Sequence, residues 1–393
     1  MTRATALFAL TLLARCLPSS ATYYPFVNYE GATFFDGFDF YGAIDNTTWG
    51  NVTYVTAADA RAESLAYIND EGNAMIKVDA ASTVLAAGIQ YRKSVRLTSK
   101  AEFSVGTLFV IDAIHMPYGC SVWPSIWFNG VLKPGQVWPQ AGEIDFIEAI
   151  NLMDHNQMAL HSYAGCVQPP NVTQTGRTIL HNCNDTTSSG CTVAESKPNS
   201  FGAGFAQAGG GAFGMQFDVA GIFMWFWSRS SIPNSITSAT ATSQMDIADW
   251  GVPSAAYPAA GCNITEFFPA QQMVIDITLC GLWAGANGIY ESSTCPGTCF
   301  GSNIAGNGSN YASAYFEIPA IRTWTVDPGA AASASSSIAS ASATQQSSAS
   351  VAAQDSHTTG KTTPNGARRS GADWGALGVG LGVGLWVGLG LYS

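Results

Sequence analysis

Short runs of β-branched and aromatic residues alternate with turn formers along most of the chain, and no stretch carries the apolar spacing of a long helix. Leu108–Ile111, Gln157–His161, Ala212–Val219, Ile222–Ser228, Val274–Thr278 and Ile321–Val326 read as strands. Gly209-Gly210-Gly211 and Ala220-Gly221 punctuate them, and the second break is short enough for a hairpin. Strands without a βαβ rhythm predict an all-β fold, an antiparallel sandwich of two sheets. Curved sheets of that kind offer a concave cleft in which a polymer can lie.

The two ends follow other patterns. Arg3 precedes the apolar run Ala4–Ala14, and Ser19-Ser20-Ala21 supplies small residues for cleavage, so residues 1–21 read as a secretory signal peptide. From Pro328 the chain is mostly Ser, Ala, Thr and Gln, which cannot bury a core; residues 328–365 are expected to form a disordered, O-glycosylated stalk. Asn365-Gly366-Ala367, a polar spacer and the uncharged run Ala376–Leu391 match a glycolipid-anchor signal. Asn365 is then the attachment residue and 366–393 the removed propeptide. A short C-terminal membrane helix is the competing reading, but the run is shorter than the ~20 residues a span needs. One domain, 22–327, lies between the signal and the stalk.

Composition sharpens this picture. Of 393 residues 47% are hydrophobic and 11% charged, about half the usual share of charge, which excludes a disordered body. No Lys/Arg cluster occurs in the body of the chain, so a nucleic-acid partner is not expected. Residues 22–329 carry 11 basic and 25 acidic side chains, a balance that repels polyanions and tolerates neutral polymers. Apart from Cys16 in the signal, eight cysteines remain, enough for four disulfides whose pairing the sequence leaves open. Sequons at Asn46, Asn51, Asn171, Asn184, Asn263 and Asn307 predict N-glycosylation on surface loops.

The candidate chemistry lies in Gly119–Asn151, where Glu143, Asp145 and Glu148 sit among Ile144, Phe146, Ile147, Ala149 and Ile150. Acids in an apolar strand are costly to bury unless their surroundings use them. On a helix the three scatter around the axis. On a regular strand Glu143 and Asp145 share a face and Glu148 takes the other, whereas one extra residue, a β-bulge, brings all three together. Three acids on one face suit glycoside hydrolysis, whose retaining form needs two carboxyls about 5–5.5 Å apart. The middle acid can hydrogen-bond the nucleophile and separate the titrations of its neighbours. The same triple could instead hold Ca²⁺.

The order W-P-S-I-W (123–127), W-P-x-x-G-E-I-D-x-I-E-x-x-N (138–151) and N-Q-M-x-L-H (156–161) resembles glycoside hydrolase family 16, with the fungal laminarinase-like endo-1,3(4)-β-glucanases the nearest subgroup. Arg92–Arg96, Pro117–Cys120, Ser231-Ile232-Pro233, Trp250-Gly251 and Leu279–Gly285 extend the resemblance over roughly Tyr29–Val326. It implies a concanavalin-like jelly roll of the bulged, E-x-D-x-x-E type. Glu143 would be the nucleophile, Asp145 its assistant and Glu148 the acid/base. His161, Trp127, Trp138 and Trp283 would line the sugar cleft; Trp123, Trp225 and Trp227 read equally as core or cleft. Two departures, the inserted Val131–Gln136 and Leu282 where an acid is usual, bear on substrate preference.

The expected protein is a retaining, cell-surface endo-β-glucanase for β-1,3 or mixed β-1,3/1,4 glucan, tied to the membrane by its lipid anchor alone. A monomer without cofactor or catalytic metal is expected. Wall-remodelling transglycosylation is the second reading and a non-catalytic glucan-binding protein the third.

Overall fold

The computed structural model describes residues 22–87 and 91–333; the signal segment, the attachment residue and the anchor signal lie outside them. Fourteen strands make two antiparallel sheets. The first has the spatial order Tyr24–Glu30, Ala320–Thr325, Thr107–Ala113, Gly211–Asp218, Gly221–Ser228, Ala255–Pro258. The second has the order Arg177–Leu180, Cys191–Ala194, Gln157–His161, Glu143–Glu148, Val122–Gly130, Gln271–Leu279, Arg96–Ser99, Phe38–Phe40. Every segment read as a strand from the sequence is one, within three residues at either end. The hairpin turns one residue earlier than expected, at Val219-Ala220, because Asp218 pairs directly with Gly221.

The period of two along Val122–Gly130 shows how the sandwich is made. Val122, Ile126 and Phe128 are buried in the layer between the sheets, while Trp123, Trp127 and Asn129 reach the opposite face. Across that layer Phe128 meets Phe109 edge-to-face at 4.7 Å, and Phe146 meets Phe213 at 6.3 Å. A second apolar cluster covers the outer face of the first sheet. There Trp225, Trp227 and Trp250 pack together with Trp324, and Trp225 and Trp324 donate to the Gly251 and Ser243 carbonyls. Trp225 and Trp227 are therefore core residues.

The eight cysteines form four bridges, Cys120–Cys295, Cys166–Cys262, Cys183–Cys191 and Cys280–Cys299. Of the segment expected to be a stalk, only residues 328–333 are among those described. Residues 328–333 are helical, and the Asp327 carboxylate accepts from the Gly329 N–H at their start.

On the acid strand, Glu143, Ile144 and Asp145 stand opposite His161, Leu160 and Ala159, after which the register slips and Glu148 meets Gln157. On its other edge Asp145 meets Trp127 and Ile147 meets Ile126. One residue is extra, and Phe146 and Ile147 both turn into the core. A bulge interrupts the ladder, and the buried Asn156 side chain repairs it, accepting from the Glu148 N–H at 2.8 Å and donating to the Phe146 carbonyl at 3.0 Å. Asn156→Ala leaves both groups unpaired in the interior. It is expected to cost about 1–3 kcal/mol of stability, read as a lower urea midpoint. An unchanged midpoint would mean that water replaces the amide.

Candidate active site

The slip places Glu143, Asp145 and Glu148 on the face opposite the core, with Trp123, Ser125, Trp127 and Asn129 beside them on the neighbouring strand. Asp145 is almost fully buried, whereas Glu143 and Glu148 are partly open to solvent. Each acid has a dedicated partner. Trp138 Nε1–H donates to Glu143 Oε2 at 2.8 Å, and Trp123 Nε1–H to Glu148 Oε1 at 2.7 Å. His161 sets its Nε2 2.9 Å from Asp145 Oδ2 and its Nδ1 2.8 Å from Asp185 Oδ1.

A ring with a carboxylate at each nitrogen is best satisfied when both nitrogens carry protons. Burial alone would lower the His161 pKa, but Asp145, Asp185 and Glu143 together raise it well above the ordinary histidine value. Burial, and then the Asp145 charge, push Glu143 up to about 8, while the His161 imidazolium and the Trp138 donor pull it back. Burial and Asp145 raise Glu148 well above its ordinary value too, against Trp123 and a weaker pull from His161. Different groups thus oppose the same burial at the two glutamates, His161 and Trp138 mainly at Glu143 and Trp123 mainly at Glu148. Two carboxyls on one face in different surroundings can act as a base or nucleophile and an acid.

The sequence profile of the XgeA-like catalytic domain of glycoside hydrolase family 16 matches residues 38–324. The chain belongs to glycoside hydrolase family 16. A probable endo-1,3(4)-β-glucanase of Aspergillus niger is 36% identical over 84% of this glycoside hydrolase, which covers 44% of that protein. The chain spans about half the length of most of the curated relatives it matches. Laminarinase 16A of Phanerochaete chrysosporium, solved with 6-O-glucosyl-laminaritriose in both donor and acceptor sites, superposes with a TM-score of 0.72 at 34% identity. The match covers 78% of this chain and 100% of that one. An elongating family 16 β-1,3-glucosyltransferase superposes with a TM-score of 0.69 at 34% identity, over 77% of this chain and 100% of that one.

In this family 16 domain the aromatic residues frame the acids. Trp138, 46% exposed, lies beside Glu143 with its ring 6.1 Å from that of His161. Trp283 meets Trp123 edge-to-face at 5.6 Å on the Glu148 side. Trp127 packs against the Arg96 guanidinium at 5.3 Å, which also faces Tyr41 at 4.9 Å and donates to Thr47 Oγ1 at 2.9 Å. Asp276, opposite Ser125, lies 3.9 Å from Arg96 Nε; burial pushes it up to about 7, although Arg96 pulls it down.

The structure thus brings Trp127, Trp138, His161 and Trp283 to the side of the sheet that carries the three acids. Trp123 joins them as well, and its spacing of four from Trp127 on one strand was the available signal. Asp185 and Arg96 come from distant segments; Arg96 stood in the Arg92–Arg96 stretch of the resemblance with no role given to it, and Asp185 was not singled out. Glu143, Asp145 and His161 offer oxygens and a nitrogen within 4.8 Å of one another, yet an imidazolium has no lone pair for a cation. Among the sequons, Asn46, Asn171, Asn263 and Asn307 are exposed and Asn51 half-buried. Asn184 is 8% exposed, not on the surface as expected, and its Oδ1 accepts from the Thr186 N–H and hydroxyl.

The Trp138 donor stabilises the charged form of Glu143 more than the neutral one. Trp138→Phe keeps the ring and removes that donor, so the Glu143 pKa is expected to rise, read by ¹³C titration of the glutamate carboxyls. A fall or no change would mean that Trp138 does not tune Glu143.

Proposed function

We propose that this domain is a retaining endo-β-glucanase that hydrolyses β-1,3 or mixed β-1,3/1,4 glucan. The observation carrying the reading is the bulged strand that sets Glu143 and Glu148 on one face between tryptophan rings. Pyranose C–H faces are apolar while rim hydroxyls need hydrogen bonds, so such a site fits a neutral polysaccharide. Glu143, beside the His161 imidazolium, attacks the anomeric carbon as Glu148 delivers its proton to the departing glycosidic oxygen. The C–O bond breaks and a glycosyl ester forms on Glu143. Glu148, now a carboxylate, takes a proton from water, whose oxygen displaces Glu143 and releases the sugar with its configuration retained. Asp145, hydrogen-bonding distance from His161, keeps a positive charge beside the nucleophile.

Transglycosylation, in which an acceptor sugar takes the place of water, is the second reading. It is favoured by the likeness to the elongating β-1,3-glucosyltransferase. Product sizing on laminari-oligosaccharides separates the two, since only transfer yields products longer than the substrate. The reading also places the domain outside the cell, as a glycosylated monomer held by a lipid anchor at Asn365. Four paired bridges in the described residues support an oxidising compartment.

Hydrolysis of laminarin, lichenan and cellulose compared side by side, with product linkage analysis, tests the substrate. Glu148→Gln is expected to lower kcat on laminarin by about 10²–10⁴-fold with folding intact. Glu143→Gln should abolish hydrolysis, and near wild-type activity of either variant overturns the assignment.

A further inference from the structure

We infer that Asp185, held in the loop closed by the Cys183–Cys191 bridge, is a positioning residue that orients His161 and keeps it positively charged beside Glu143. The inference rests on the hydrolase reading above and extends it to a loop that the sequence marked only by a sequon and two cysteines.

The geometry starts from the bridge. Cys191 stands opposite Leu160 in the sheet, one residue before His161, and Cys183 lies beside Ser162 through the Ser162 N–H to Cys183 carbonyl bond at 2.8 Å. The short loop between them therefore begins and ends against the strand that carries His161. Within it Asn184 turns the chain by accepting from Thr186 and donating from its own amide to Thr187, and the Asp185 N–H donates to the Ser162 carbonyl at 3.0 Å. These bonds aim the Asp185 carboxylate at His161 Nδ1, 2.8 Å away. The loop returns through Gly190, with φ +75°, at the Nδ1–Cε1 edge of the ring. A Cβ there would come within 2.8 Å of His161 Nδ1 and Cε1. Asp185 and Gly190 thus grip the imidazole from one loop, and the bridge closes the grip.

Charge gives the grip a purpose. The groups facing His161 are Glu143 and Asp145 on the acid strand and Asp185 on the loop, with the Trp138 ring 6.1 Å away and Glu148 further along the strand. With Asp145 alone, one imidazole N–H would suffice, and the ring could be neutral. The second carboxylate makes the imidazolium the favoured form. A positive ring opposite Glu143 in turn favours the nucleophile's ionised state.

The test combines ring spectroscopy with kinetics. In the wild-type chain, ¹⁵N shifts of His161 are expected to show both nitrogens protonated at neutral pH. In Asp185→Asn the ring should lose that second proton at lower pH, and Asp185→Glu should restore it. On laminarin, Asp185→Asn is expected to lower kcat by about 10- to 100-fold with a smaller change in KM. The acid limb of its kcat/KM profile should move to higher pH, because Glu143 loses a favourable charge. A neutral His161 in the wild type overturns the inference even if no variant folds. So does an Asp185→Asn chain with unaltered ring shifts and pH profile. Failure of the wild type to cleave any glucan, with the ring shifts as expected, would instead overturn the substrate reading and leave the role of Asp185 standing.

Discussion

A single extra residue between Asp145 and Glu148 decides which way the side chains of the acid strand point. Side chains on a regular strand alternate, so without the slip Glu148 would enter the layer that now holds Phe146 and Ile147. A carboxylate placed there without a partner would cost several kcal/mol. The bulge lets the strand satisfy two demands that a period of two cannot meet together, an unbroken apolar back and three acids in front. Its unpaired backbone groups are taken up by the Asn156 amide, so the irregularity is held as firmly as the ladder around it.

The acids create a second constraint, since three carboxyls on one face repel one another and each loses water. The site answers with donors rather than with many cations. Two indole N–H groups each take one glutamate, and one imidazolium takes the buried aspartate. This distribution is asymmetric. His161 and Trp138 act on the Glu143 end and Trp123 on the Glu148 end, so the two glutamates sit in different surroundings. The difference suits a displacement that needs one carboxylate and one carboxylic acid at the same moment.

Rigid support comes from outside the sheet. Cys280–Cys299 and Cys120–Cys295 pin the loop that carries Trp283 against the turn leading into Trp123. Asn151, in the left-handed region at φ 53°, ties that loop to the end of the acid strand through the Ala284 carbonyl and the Ser121 N–H. On the opposite side the Cys183–Cys191 loop abuts His161. Each end of the acid strand is therefore met by a disulfide-closed loop bearing a side chain that touches the site or braces a residue that does.

Local pattern carried much of this architecture. Alternation along short apolar segments announced the strands, and the spacing of Glu143, Asp145 and Glu148 demanded the bulge, because strand geometry relates neighbours in sequence to faces in space. The count of cysteines announced four bridges for the same chain. Tertiary structure decided whatever depends on residues far apart meeting. Trp225 and Trp227 joined an outer core while Trp123, equally ambiguous in sequence, came to hold Glu148, since only the packing of the two sheets determines what covers each face. The cysteine pairing followed from the same approach of distant loops. Asp185 met His161 across 24 positions because a bridge folded its loop back onto the neighbouring strand, and Asn184 next to it exchanged its place on the surface for a turn inside that loop. No periodicity encodes such contacts, for they are created when separate elements are brought together by burial of the core.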